Sequence, residues 1–170
     1  MKTALLVIDM QNDYLYEKRK SRFSYDTSAL TGAVNALIRR FADEGNDVIY
    51  IRHIIQDLPT NRLLFGYSIA GTEGAELYPG LEIISDRCFD KLVGDALSNG
   101  DLRALIARQG YDCLYLCGLD ECGCVAATAL GAKRRGLRAE ILRSGTAPVF
   151  PEKKVAATWE KLRKAGISYR

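Results

Sequence analysis

Residues 111–136 read YDCLYLCGLDECGCVAATALGAKRRG. Residues 111–117 form a continuous apolar run of strand length. Residues 118–123 are a turn, and 124–135 are a helix of mostly small residues that Gly136 ends. A strand that is apolar on both faces must be covered on both. The stretch therefore predicts a parallel sheet held between layers of helices.

The same alternation continues outward. Residues 3–9 read as a buried strand ending in Asp9. Leu30, Val34, Leu37, Ile38 and Phe41 recur on one face of a helix, with Gly45 as its cap. Asp47–His53 is a second strand, rich in β-branched residues. Residues 54–80 show no period and carry Pro59, Gly66, Gly71, Gly74, Pro79 and Gly80; a loop this long in a compact domain is usually functional. Residues 81–85 read as a short third strand. Ser98 or Asn99 caps a helix containing Leu102, Leu105 and Ile106, which Gly110 ends. Residues 137–142 are a strand and 151–164 a last helix. The expected fold is a three-layer α-β-α domain with a Rossmann-like, doubly wound, mainly parallel sheet, spanning residues 1–170 as one unit.

Composition bounds the function. At 170 residues, with 48% apolar and 26% charged content, the chain is neither disordered, collagen-like nor a coiled coil. It is long enough to fold without a metal or disulfide staple. A net charge of +3, from 24 basic and 21 acidic residues, gives no reason to expect a nucleic-acid partner. The longest apolar run, residues 4–8, is far short of the roughly 20 residues that span a bilayer. No cleavage site follows the amino terminus, so a cytoplasmic protein without a membrane partner is expected. The basic run at residues 17–22 (EKRKSR) reads as a solvated loop, with anion binding or a subunit contact as the alternative.

The five cysteines, Cys88, Cys113, Cys117, Cys122 and Cys124, are an odd number, and this is not a disulfide framework. Cys113 and Cys117 fall in the apolar strand, Cys122-Gly123-Cys124 lacks the usual zinc-ligand spacing, and His53 is the only histidine. No metal and no other cofactor is expected.

In a doubly wound sheet, the site lies beyond the carboxyl ends of the strands. That selects Asp9, the turn leading to Cys124, and Lys91 after the third strand. Near a helix N-terminus, free N–H groups stabilise a thiolate at Cys124, lower its pKa, and can hold an oxyanion. Cys124 reads equally as a small packing residue. Asp9 is either a general base beside the thiol or a cap or buried ion pair. Lys91 is either the cation that keeps Asp9 ionised or a surface lysine.

Three separated pieces carry a resemblance: Leu5-Leu6-Val7-Ile8-Asp9-Met10-Gln11-Asn12-Asp13-Tyr14, Lys91-x4-Ala96-Leu97, and Gly118-x5-Cys124-Val125-x2-Thr128-Ala129 closing with Arg135-Gly136. A weaker fourth is residues 71–76, Gly-Thr-Glu-Gly-Ala-Glu. Together these resemble the isochorismatase-like cysteine hydrolases, which include nicotinamidases, N-carbamoylsarcosine amidase and ureidoacrylate hydrolases. The resemblance implies Cys124 as nucleophile, Asp9 as base and Lys91 as the cationic third member. It also implies a cis peptide between Leu119 and Asp120, with the N–H groups of Asp120 and Cys124 forming an oxyanion hole. Tyr14, His53, Leu64 and Tyr67 are candidates to line the substrate pocket. Relatives of this kind are commonly dimers or tetramers, so a homo-oligomer is expected.

The sequence departs from the family at several positions. Asp120 and Glu121 stand where relatives carry threonine or alanine; two carboxylates raise a nearby thiol pKa unless they point away, and otherwise select a cationic substrate. Leu97 replaces a phenylalanine, and Asp95 a small polar residue. The stretch Arg52-His53-Ile54-Ile55 lacks the Asp-x-His pattern of metal-binding nicotinamidases. The expected activity is hydrolysis of a C–N bond in a small amide, carbamoyl or ureido compound through a thioester. The alternatives are vinyl-ether hydrolysis of the isochorismatase type, or a catalytically retired small-molecule-binding module.

Overall fold

A computed structural model describes residues 2–18, 23 and 25–170. Most of the basic run at 17–22 lies outside the described residues. In chain order the elements are β1 (Thr3–Ile8), α1 (Asn12–Leu15), α2 (Thr27–Asp43), β2 (Asp47–His53), α3 (Pro59–Leu64), β3 (Cys88–Lys91), α4 (Gly100–Gln109), β4 (Cys113–Gly118), α5 (Ala126–Arg134), β5 (Arg138–Thr146), α6 (Glu152–Lys164) and β6 (Ser168–Tyr169). They build one six-stranded sheet in the order β3-β2-β1-β4-β5-β6, with every neighbouring pair parallel.

β1 runs through the middle, and its side chains alternate between two cores. Ala4, Leu6 and Ile8 face the core that α4, α5 and α6 cover. Leu5 and Val7 face the core that α2 covers. The stripe of α2 that meets this second core is Leu30, Val34, Leu37, Ile38 and Phe41, each burial contributing about 1.5–3 kcal/mol. Asp26 caps this helix by accepting from the Ala29 N–H at 2.9 Å. Asn99 does the same for α4 through the Leu102 N–H at 2.8 Å, and Gly110 ends that helix in the left-handed region.

The third strand differs from the sequence expectation. Residues 81–85 make no ladder; β3 is Cys88–Lys91. The backbone of the earlier segment finds side-chain partners instead. Glu82 N–H donates to Asn35 Oδ1 and Ile84 N–H to the Tyr50 hydroxyl, which itself donates to the Glu82 carbonyl. Leu81 is buried against the α2 face while Ile83 and Ile84 are exposed. β3 carries two charged residues among its four and so lacks the apolar signature of a buried strand. The short elements α1, α3 and β6 were not expected from the sequence; they are four, six and two residues long.

β1 and β4 lie side by side while the chain leaves them towards opposite edges. This switch point opens a crevice beyond their carboxyl ends. Gly118 makes the approach possible: its φ is 102°, and a Cβ there would stand 2.1 Å from the Ile8 carbonyl oxygen.

Candidate active site

Asp9, Lys91 and Cys124 converge in that crevice. Asp9 leaves β1 with a φ of 54°, in the left-handed region, and its N–H donates to the Ile51 carbonyl at 2.9 Å. Lys91 is the last residue of β3. The sheet order places β2 between the two, and the long lysine stem closes the gap. Lys91 Nζ lies 2.9 Å from Asp9 Oδ2 and donates to Cys124 Sγ at 3.0 Å. Asp9 is 2% exposed and Lys91 1%. Asp9 Oδ1 is buried and takes no hydrogen bond from any described residue.

The electrostatics of this trio correct one expectation. Burial opposes the Lys91 ammonium, but Asp9 and Cys124 beside it outweigh burial and hold its pKa above the usual lysine value. Burial pushes the Cys124 thiol well up, the adjacent Asp9 carboxylate adds to this, and Lys91 offsets only part. The Cys124 thiol pKa is thus held above its usual value, the opposite direction from the lowering that the helix N-terminus reading implies. Cys124 also sits inside a π-type turn, Glu121–Val125, ahead of α5.

Asp9 and Cys124, though not Lys91, line a cavity of about 250 Å³ whose walls also include Tyr14, His53, Tyr67, Leu119 and Asp120. The Tyr14 hydroxyl accepts from Ser68 Oγ at 2.7 Å, and burial together with the Asp9 charge keeps the phenol protonated. Burial, and then the Lys91 charge, push the His53 pKa down, so its imidazole is neutral at pH 7. Leu64 does not belong here. It stands 72% exposed on α3, a helix too short to bury any residue, and it is absent from the cavity wall.

The Leu119–Asp120 peptide bond is cis. In the turn that follows, the amides of Glu121, Cys122, Gly123 and Val125 donate to Ala147 O, Asp120 Oδ1, Asp120 O and Asp120 O respectively. Asp120 and Cys124 border the cavity. Both turn carboxylates accept hydrogen bonds, although Asp120 also borders the cavity. Asp120 Oδ1 accepts from the N–H groups of Cys122 at 3.2 Å and Val149 at 3.1 Å. Glu121 turns away from the cavity and accepts from Trp159 and Thr146.

Asp9, His53 and Cys124 bring potential ligand atoms within 4.8 Å of one another. The Lys91 ammonium, 2.9 Å from Asp9 Oδ2 and 3.0 Å from Cys124 Sγ, sets a positive charge beside these atoms that opposes a divalent ion.

The isochorismatase domain model matches residues 3–168. The chain belongs to the isochorismatase family. An uncharacterised isochorismatase family protein of Bacillus subtilis is 26% identical over 148 residues, covering 86% of this chain and 78% of the relative. The fold is shared with pyrazinamidase/nicotinamidase of Streptococcus mutans, at a TM-score of 0.85 and 22% identity over 99% of this chain and 100% of that one. It is also shared with N-carbamoylsarcosine amidase of Thermoplasma acidophilum, at a TM-score of 0.82 and 23% identity over 100% and 96%.

In this family member several site residues lie outside the motifs. Phe23, Tyr25, Val149 and Phe150 also line the cavity. Phe23 and Tyr25 flank the basic run, and Val149 and Phe150 follow β5; nothing in their local sequence marks them. Gln11, by contrast, stood in plain view beside Asp9. It is fully buried, donates to the His53 carbonyl at 3.0 Å and the Ala75 carbonyl at 2.7 Å, and accepts from the His53 N–H at 2.8 Å. Asn12 donates to the Glu73 carbonyl at 2.7 Å, and Asp13 accepts from the Ser68 N–H at 2.7 Å. The Gln11-Asn12-Asp13 run thus ties the long central loop over the site.

Proposed function

We propose that this chain is a cysteine hydrolase that cleaves a C–N bond of a small amide, carbamoyl or ureido compound through a thioester. The observation that carries this reading is the buried Lys91 ammonium, 2.9 Å from Asp9 Oδ2 and 3.0 Å from Cys124 Sγ, beside a cavity that Asp9 and Cys124 line. Thiol, base and fixed cation are the groups that acyl transfer requires.

The raised thiol pKa sets the order of events. Asp9 Oδ1, which no described residue engages, takes the Cys124 proton as sulfur bonds to the substrate carbonyl carbon. Lys91 stays between the two sites of developing and departing negative charge. The N–H groups of Asp120 and Cys124 hold the oxyanion. The C–N bond breaks as Asp9 returns its proton to the leaving nitrogen, which leaves the acyl group on Cys124. Asp9 then takes a proton from water, hydroxide adds to the thioester, and the carboxylic product leaves as sulfur regains its proton. The cavity, at about 250 Å³, suits a small substrate, and its aromatic side walls suit a flat or apolar one.

Turnover on a panel of primary amides, carbamoyl compounds and ureides, followed by intact-mass detection of an acyl adduct, tests the reading. Cys124→Ala is expected to lower turnover by at least about 1000-fold. A Cys124→Ala protein hydrolysing the same substrate at the wild-type rate would refute it.

A further inference from the structure

Glu121 is a carboxylate at the catalytic turn that the chemistry above does not use. It is 3% exposed. Trp159 Nε1 on α6 donates to its Oε1 at 2.7 Å, and the Tyr169 hydroxyl on β6 donates to the same atom. Thr146 Oγ1, at the end of β5, donates to its Oε2 at 2.9 Å. Its own N–H donates to the Ala147 carbonyl at 3.1 Å. The Arg143 guanidinium lies over the Trp159 ring, 4.3 Å from its centroid, and over Tyr169 at 5.7 Å. A buried carboxylate costs desolvation that a well-packed apolar residue would not. Three directed donors from three elements offset that cost and define one position for the group, which an apolar contact would not.

Glu121 follows Asp120 directly and precedes Cys124 by three residues, so whatever fixes its side chain fixes the turn. We propose that Glu121 is a positioning residue: Thr146, Trp159 and Tyr169 grip its carboxylate from behind. The grip holds the 120–124 turn, with its cavity-lining residues Asp120, Gly123 and Cys124, in register with Asp9 and Lys91. The carboxyl-terminal strand thereby becomes part of the catalytic scaffold, although it touches no reacting atom. The kinetic side of this inference rests on the hydrolase reading; the structural side does not.

The test is the double variant Trp159→Phe/Tyr169→Phe, which removes two of the three donors and leaves the turn sequence intact. Hydrogen exchange of peptide 119–126 is expected to speed up by about tenfold or more while the β1 peptide is unchanged. On the best substrate of the amide panel, kcat is expected to fall by about tenfold or more with KM within about threefold, as for a misplaced transition-state contact. The pH profile of Cys124 alkylation by iodoacetamide should stay put, since Asp9 and Lys91 are untouched. Glu121→Gln, which keeps an acceptor, should retain more kcat than Glu121→Ala. Unchanged exchange in the turn overturns the proposal whatever the activity. So does a kcat loss that merely matches the unfolded fraction seen by circular dichroism. Wild-type protein inert on the whole panel, together with a loosened turn in the variant, would sink the hydrolase reading and leave the positioning role standing.

Discussion

Asp9 and Lys91 act on the Cys124 sulfur in opposite senses, and their balance is measurable without a substrate. Burial and Asp9 raise the thiol pKa, and Lys91 lowers it. Alkylation of Cys124 is therefore expected to be slow at neutral pH and to keep rising above the ordinary thiol range near about 8.5. Asp9→Asn should move that profile to lower pH, by about one unit, even as hydrolysis collapses; Lys91→Met should move it the other way. A profile that moved upward in Asp9→Asn would contradict this electrostatic picture. Cys122, pushed up to about 11 mainly by burial, serves as an internal comparison in the same digest. His53 makes a second prediction. Its folded pKa lies below the ordinary 6.5 because of burial and Lys91. Below that value the unfolded chain binds a proton that the native chain refuses, so this share of stability is present above pH 6.5 and is lost as pH falls. The urea midpoint of His53→Gln should show a flatter decline between neutral and acid pH than wild type; an identical slope would dismiss the effect. The local sequence left this open, since Cys124 there reads equally as an activated thiolate or a small packing residue. The neighbours that reverse the sign, Asp9 and Lys91, stand more than thirty positions away in the chain.

At the scale of elements, the site depends on two connections. Gln11 is the first: it joins the exit of β1 to the end of β2 and to the central loop through three hydrogen bonds. Gln11→Ala leaves the His53 and Ala75 carbonyls without these partners. It should cost about 2–4 kcal/mol in chemical denaturation. A cost below about 0.5 kcal/mol would mean that the loop is held by other contacts. The second is the crossing of β1 and β4 at Gly118. Gly118→Ala meets the Ile8 carbonyl and needs a positive φ, so it should cost about 3 kcal/mol or more, or prevent folding. The helices were the readable elements: the apolar period of α2 and the Asn99 and Gly110 ends of α4 agree with their sequence signals. β3 was not readable, because an edge strand of Cys-Phe-Asp-Lys carries too little apolar pattern. The residues at 81–85, which do carry it, give their backbone groups to Asn35 and Tyr50.

At the scale of the whole molecule, the sheet separates two cores that share the strands but not the helices. Leu102 lies in one and Val34 in the other, both fully buried. Leu102→Ala is expected to cost about 2–5 kcal/mol and Val34→Ala somewhat less, with the double variant additive to within about 0.5 kcal/mol. A coupling well above that would mean that strain passes through the sheet. The sequence alone determined the layered α/β class, the parallel sheet, the position of Asp9 at the end of β1 and that of Cys124 beyond the turn that follows β4. Those features follow from local periodicity and from the spacing of glycines and caps, which each segment carries in itself. Tertiary structure alone decided which strand carries Lys91, and that Glu121 faces away from the cavity while Leu64 stays on the surface. It also decided that Phe23, Tyr25, Val149 and Phe150 line the pocket and that burial and the Asp9 carboxylate raise the Cys124 thiol pKa. These outcomes depend on long-range pairing, burial and the distance between charges. No window of sequence contains them until the sheet order has brought β3, β1 and the turn after β4 to one place.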